Sequence, residues 1–253
     1  MTKVNVYGLD GSVKETIELP RVFTTPYRPD IIRKSFNVMH SNQRQAYGPN
    51  KLSGARHAVA SVGKGRGMSR VPRLTQGRRA AFAPCVVGGR RAHPPKPERV
   101  WKEKMNKKEN HLAKNSALAA TADKELVSKR GHQFNEKITL PIILDDSFEN
   151  VKKTKKIIEI FEKLGVYEDV ERSLNGTHIR AGRGTARNRK YRVPKSLLLI
   201  TIKDQVTKSA QNLSGVDVTM PQHLNIDYLA PGGDAGRLLV MTKGALLQIG
   251  GAT

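Results

Sequence analysis

Phosphate-binding chemistry is concentrated in two stretches of this sequence that contain no acid. Residues 44–97 hold 12 Lys or Arg and no Asp or Glu, so they carry +12 of the chain's formal +23. Nine of the twelve are Arg. A guanidinium makes forked hydrogen bonds to phosphate and stacks on flat rings, whereas Lys acts as a point charge. The second stretch, Gly176–Lys195, reads GTHIRAGRGTARNRKYRVPK. Long acid-free runs repel themselves, so two on one chain point to a single extended anionic partner rather than to solvated surface. By residue type and loop position, the candidate contacts in the first stretch are Lys51, Arg56, Lys64, Arg66, Arg70, Arg73, Arg78, Arg79, Arg90 and Arg91. In the second they are Arg180, Arg183, Arg187, Arg189, Lys190 and Arg192. Glycines at 48, 54, 63, 65, 67, 77, 88 and 89 allow close approach of the backbone to a polyphosphate chain. The aromatics of the first stretch are Tyr47 and Phe82, so stacking on single-stranded bases is a minor contribution. Contacts to phosphate, sugar and shape in folded RNA fit better, and no helix-turn-helix or finger pattern stands ready to read DNA.

Other chemistry is weakly represented. Asp145 and Asp146, with Glu149 nearby, follow an apolar run and could hold Mg²⁺. They also precede Lys152, Lys153, Lys155 and Lys156, so balancing those lysines and the following helix dipole is the simpler reading. The seven histidines include no pair at zinc-ligand spacing, and the single Cys85 has no paired base. Gly63-Lys64-Gly65-Arg66-Gly67 resembles a dinucleotide fingerprint but has Met68 at the third glycine position and no strand before it. No cofactor is implied. No stretch reaches the roughly 18 apolar residues of a membrane span, the N-terminus has no apolar signal core, and one cysteine forms no internal disulfide. A cytoplasmic protein with no membrane partner is expected.

The elements that position the basic stretches read as α/β. Lys3–Tyr7 alternates, Asp10-Gly11 is a tight-turn signal, and Val13, Ile17 and Leu19 follow, predicting a hairpin. Asp30 is a candidate N-cap for a helix to about Arg44. In residues 44–97, Leu, Ile, Val and Phe make up only 8 of 54 residues, too few to offset the entropy of ordering the backbone. This segment is expected to be disordered alone and ordered against RNA. Half of it, fully extended, reaches roughly 85 Å, far beyond the body that carries it. Helix is expected to resume near Glu98, with the Ala-rich NSALAATA inside 106–122, and Asp123 to cap a helix ending at Gly131. Thr139–Leu144 and Leu197–Ile202 read as buried strands, with a helix over Val151–Leu164 between them. Together they predict a parallel βαβ unit. Val216–Thr219 and Leu238–Met241 are further candidate strands, and short helices are expected near 225–229 and 242–249.

Several stretches resemble a known family, the fourth protein of the large ribosomal subunit in its archaeal and eukaryotic branch. They are SVGKGRGMSRVPR (Ser61–Arg73), GGRRAHPPKP (Gly88–Pro97) leading into Trp101, NSALAATA (Asn115–Ala122) and KRGH (Lys129–His132). The LPIIL strand and the basic loop around Arg180–Arg192 also fit. The chain stops at Thr253 without a long tail, which favours the archaeal side. The resemblance implies a single globular three-layer α/β/α domain over residues 1–253, with a mostly parallel central sheet and a long irregular protruding loop. Residues 44–97 would then be a basic extension that penetrates ribosomal RNA and helps line the peptide exit tunnel, its tip near Gly63–Arg73 beside the nascent peptide. Residues 176–195 would be a second RNA-binding loop. Neighbouring large-subunit proteins and a part in early subunit assembly are implied as well, and no enzymatic activity. The alternatives from the residues alone are a Mg²⁺-dependent RNA-processing enzyme using Asp145 and Asp146, or a general RNA chaperone.

Overall fold

The computed structural model describes residues 3–203 and 206–251. Residues 1–40 with 104–253 form one compact unit, and residues 41–103 a second. In chain order the larger unit contains strands β1 (Lys3–Tyr7) and β2 (Val13–Glu18) and helix α1 (Pro29–Asn42), which runs into the second unit. The second unit holds the two-residue strands β3 (Val59–Ala60) and β4 (Arg73–Leu74). The chain then forms α2 (Lys107–Ala120), α3 (Lys124–Lys129), β5 (Ile142–Leu144), α4 (Thr154–Lys163) and α5 (Tyr167–Asn175). It continues through β6 (His178–Ile179), α6 (Arg183–Ala186), β7 (Tyr191–Arg192), β8 (Leu198–Ile200) and α7 (Thr207–Ala210). The last elements are β9 (Asp217–Thr219), α8 (Ile226–Leu229), β10 (Leu239–Thr242) and α9 (Lys243–Gly251).

The central sheet has six strands in the order β2-β1-β5-β10-β8-β9. Only the β1–β2 hairpin is antiparallel; the other four pairings are parallel. A strand covered on both faces must be apolar at every position, and β5, β8 and β10 are fully buried along their length. Successive side chains alternate between two cores. Val4, Val6, Ile143, Leu198, Ile200, Leu239 and Met241 pack with α1, α2, α8 and α9 on one face. Tyr7, Ile142, Leu144, Leu199 and Val240 pack with α4, α5 and α7 on the other. The result is the expected three-layer α/β arrangement with a mostly parallel sheet.

Several expectations are corrected in detail. The predicted βαβ strands β5 and β8 are parallel but not adjacent, because β10 inserts between them. The strand expected over 139–144 begins only at Ile142, and Pro141 before it has no N–H to give to a ladder. Helix α1 starts at Pro29, whose fixed φ suits a first helical position. Asp30 therefore lies in the first turn, where its carboxylate receives two bonds from Arg28, at 3.0 and 2.7 Å. Helix resumes at Lys107 rather than near Glu98. Asp123 does cap α3, accepting from Glu125 N–H at 2.9 Å, and Gly131 follows its end in the left-handed region at φ +92°. Helix α5 was not foreseen.

Asp145, Asp146 and Glu149 do not serve the α4 lysines. They close the C-terminal edge of the sheet, where open α/β sheets commonly bind ligands. Glu149 is buried and accepts from Ile202 N–H and Thr242 Oγ1, both at 2.9 Å. Asp146 accepts from Gly244 N–H at 2.8 Å, and Asp145 from Lys14 Nζ and Ser147 Oγ. Among the described residues no group of three or more His, Cys, Asp or Glu is arranged to hold a metal.

Candidate nucleic-acid interface

In the unit 41–103 the two ends of the segment are clasped. Asn42 Nδ2 donates to Glu103 O at 3.2 Å while Glu103 N–H donates to Asn42 Oδ1 at 2.9 Å, and Ser41 Oγ donates to Trp101 O at 2.7 Å. These bonds hold 101–103 in irregular backbone where a helix was expected. Trp101 is covered by the guanidiniums of Arg44 and Arg99, 4.6 and 4.2 Å from its ring centre, and stacks with Tyr47. Further along, β3 pairs antiparallel with β4, and Arg73 bridges Ala80. Between β3 and β4, Gly63, Gly65 and Gly67 adopt φ of +77°, +77° and +63°, with open space where a side chain would be. That backbone is cheap for glycine alone. Gly54 and Gly89 serve a different purpose. A Cβ on Gly89 would lie 2.0 Å from Ala83 O, and one on Gly54 2.6 Å from Arg90 Cα, so both are required for packing of the segment on itself.

Lys51, Arg56, Lys64, Arg66, Arg70, Arg78, Arg79 and Arg91 are exposed. Lys51 pairs with Glu98 at 3.2 Å. Arg73 and Arg90 are half-buried and engaged inside the segment. Arg73 Nη1 donates to Arg78 O at 2.7 Å, and Arg90 lies over the Phe82 ring.

The second basic stretch is a β-hairpin on the larger unit. His178 pairs with Arg192, Ile179 with Tyr191, and Arg180 N–H donates to Lys190 O at 2.7 Å. Because side chains alternate across a strand, His178, Arg180, Lys190 and Arg192 share one face, and Ile179, Tyr191 and Val193 the other. The tip turns through Gly182 (φ +79°), the single helical turn α6 and Asn188 (φ +59°), a residue type that tolerates this region. All six candidate residues here are exposed, and none has an acidic partner among the described residues.

At the base of this hairpin lies a cleft of about 870 Å³, lined in part by Arg33, Lys129, Arg130, Arg172, Arg180 and Arg192. Arg33, Lys129, Arg130 and Arg172 were not anticipated as site residues. Arg130 donates to the carbonyls of Asp234 and Pro231. Burial pushes its guanidinium pKa down, and neighbouring Arg237 and Arg172 add to that against the opposing pull of Asp234. Beneath the cleft, buried His132 donates from Nδ1 to Asp169 at 3.0 Å. Burial lowers its pKa below the ordinary 6.5, so the ring is neutral and the proton sits on Nδ1. Burial alone would raise the Asp169 pKa, but the bonds from His132, Arg172 and Gln133 N–H outweigh it and keep the carboxylate ionised.

Residues 17–252 match the ribosomal protein L4/L1 family. The chain is 50% identical over 249 residues to the large ribosomal subunit protein uL4 of Archaeoglobus fulgidus, covering 98% of both chains. It is 48% identical over 248 residues to that of Methanocaldococcus jannaschii, again 98% of both. With that of Methanosphaera stadtmanae the identity is 45% over 251 residues, 99% of this chain and 97% of the relative. A match of this length and identity, joined to the fold above, is decisive: the chain belongs to the ribosomal protein L4/L1 family, in its archaeal branch.

Proposed function

We propose that this protein is a structural component of the large ribosomal subunit and binds large-subunit ribosomal RNA through its two acid-free basic segments. The observation that carries this reading is the end-to-end similarity to relatives that are large ribosomal subunit proteins, including across residues 44–97. Neighbouring large-subunit proteins are its protein partners, and the cytoplasm is its compartment. The chain is not an enzyme. The carboxylates of Asp146 and Glu149 are bonded to backbone N–H groups and the Thr242 hydroxyl at the sheet edge.

Residues 44–97 act as an extension into ribosomal RNA, with the tip near Gly63–Arg73 helping to line the peptide exit tunnel beside the nascent chain. Open, glycine-rich, acid-free backbone at 63–67 supports this, as does the exposure of Lys64, Arg66 and Arg70. Residues 176–195 form the second contact, with the exposed guanidiniums of the hairpin tip against phosphates. Such contacts supply affinity with little base readout, so selectivity comes from the shape of folded RNA. Early binding during subunit assembly belongs to the same reading.

The test is sedimentation of cell extract through a sucrose gradient, followed by a high-salt wash of the large subunit. One copy per large subunit surviving the wash is the expected result. A protein that remains at the top of the gradient, or leaves at moderate salt, would reject the proposal and favour a general RNA chaperone.

A further inference from the structure

We propose that the cleft at the base of the β6–β7 hairpin is a third RNA contact, seating phosphodiesters between the end of α3, helix α5 and the 231–235 loop. The inference rests on the reading that the chain binds ribosomal RNA, and adds a site that neither basic loop contains.

Charge is the first argument. Three cations of this region have acidic partners within the protein: Arg33 with Asp234 at 3.1 Å, Arg172 with Asp169 at 2.9 Å, and Lys195 with Asp217 at 2.8 Å. Lys129, Arg130, Arg180 and Arg192 have none among the described residues. Four unneutralised cations around one cleft are an unfavourable arrangement until an anion enters. Arg130 makes the point most sharply. It is half-buried, its bonds go to neutral carbonyls, and buried Arg237 and half-buried Arg172 stand nearby. Asp234 also lines the cleft and attracts Arg130, but its carboxylate is held by Arg33 at 3.1 Å, so a phosphate oxygen would supply a counter-charge that Arg130 need not share. His132 below adds no competing charge, because its ring is neutral.

Shape is the second argument. The cleft, at about 870 Å³, is far larger than a single phosphate ion requires. It does not end at the unit's surface. Arg180 and Arg192 line it and also lie on the basic face of the hairpin, which Lys190 extends. Phosphates that continue along a sugar chain fit a cleft that opens onto a row of cations. A free anion would use only part of it.

The experiment measures affinity of the full-length protein for a large-subunit RNA fragment across a salt series. It compares wild type with Lys129→Gln, with Lys129→Gln/Arg130→Gln, and with the tip variant Arg183→Ala/Arg187→Ala/Arg189→Ala. Each lost phosphate contact lowers the magnitude of the log–log salt slope by about 0.7–0.9. The expected losses are therefore about 0.7–0.9 for the single cleft variant and about 1.4–1.8 for the double. Exposed Lys129 has no acidic partner among the described residues, so the single variant gives a result even if replacing Arg130 perturbs folding. Wild-type slopes in both cleft variants, with a reduced slope in the tip variant, would overturn the cleft while leaving RNA binding intact. A wild-type slope near −1 would instead remove the RNA-binding reading itself. Calorimetry with inorganic phosphate separates the two sources of anion. Phosphate binding that is lost in Lys129→Gln, beside an unchanged RNA slope, would assign the cleft to free phosphate.

Discussion

Arg237 is the largest fully buried side chain, and replacing it by Met tests whether it is a knot that holds β8, β9 and β10 in place. Its Nε donates to Ser196 O at 2.8 Å and Nη1 to Tyr228 O at 2.9 Å. Its Nη2 donates to Leu197 O and Gly215 O, both at 3.2 Å, and lies 2.7 Å from Asp217 Oδ2. Met fills much of the same volume and donates nothing. The carbonyls of Leu197 and Gly215 keep backbone donors, from Asp217 and Ser196, but the bonds to Ser196 O and Tyr228 O are lost. Breaking a buried ion pair by removing one partner costs about 3–5 kcal/mol. Asp217 is 21% exposed and retains Lys195, which places the expected loss at the lower end, about 3 kcal/mol. For a domain of this size that corresponds to a fall in Tm of about 6–12 °C. Thermal and urea unfolding of wild type, Arg237→Met, Asp217→Asn and the double variant would measure both the loss and the coupling. A pH series adds a second readout. Burial opposes ionisation of Asp217, but Arg237 and Lys195 outweigh it and hold the carboxyl below its usual range. The stability it contributes is present above the unfolded carboxylate pKa and is lost as pH falls through the folded one. That acid-sensitive increment should shrink in Arg237→Met. A loss below about 1 kcal/mol with additive single effects would refute the knot.

Three further outcomes are expected. The tip variant Arg183→Ala/Arg187→Ala/Arg189→Ala should reduce the salt slope of RNA binding by about 2–3 and leave thermal unfolding unchanged, since all three side chains are exposed. Stability should begin to fall below about pH 6.5, because unfolded His132 takes a proton there while the folded ring, with its lowered pKa, resists it; His132→Gln should flatten the curve below about pH 6.5. Gly89→Ala should open the 41–103 segment to limited proteolysis through the collision with Ala83 O, whereas Gly65→Ala, in open space, should cost only about 1–2 kcal/mol of backbone strain.

The parts of the fold legible in the sequence were those with a local cause. Asp10-Gly11 between alternating runs made the β1–β2 hairpin readable, and the stripe Ile157, Ile160, Phe161 and Leu164 announced α4. The buried strands showed as apolar runs, but their order did not. A parallel strand apolar on every position carries no mark of its neighbours, so the insertion of β10 between β5 and β8 was invisible. The hairpin at 178–192 did leave a signal. His-Ile-Arg and Tyr-Arg-Val alternate in register, but the density of arginine between them drew attention to charge instead of pattern. Arg237 left none, since one arginine before an apolar run looks like any surface charge. The cleft was missed for a related reason: Lys129 and Arg130 come from α3, Arg172 from α5 and Arg192 from β7, and nothing local brings them together.

Within the larger unit, the carboxylates at the C-terminal edge of the sheet, where an enzyme of this architecture would work, are committed to structural bonds. Several acids of the larger unit are committed to internal bonds. Asp145, Asp146 and Glu149 close the C-terminal edge of the sheet, Asp169 fixes His132 and Arg172, and Asp217 neutralises Arg237 and Lys195. Carboxylates committed in this way leave the basic insertions without counter-charges of their own. In residues 44–97 and 176–195 there is no acid to add. In the proposed reading, the carboxylates serve the fold, and RNA is met by cations that have no acidic partner among the described residues. Among the described residues, a polyanion on those segments competes with two internal ion pairs: Lys51 with Glu98, between two exposed groups and worth little, and Lys195 with Asp217 at 2.8 Å.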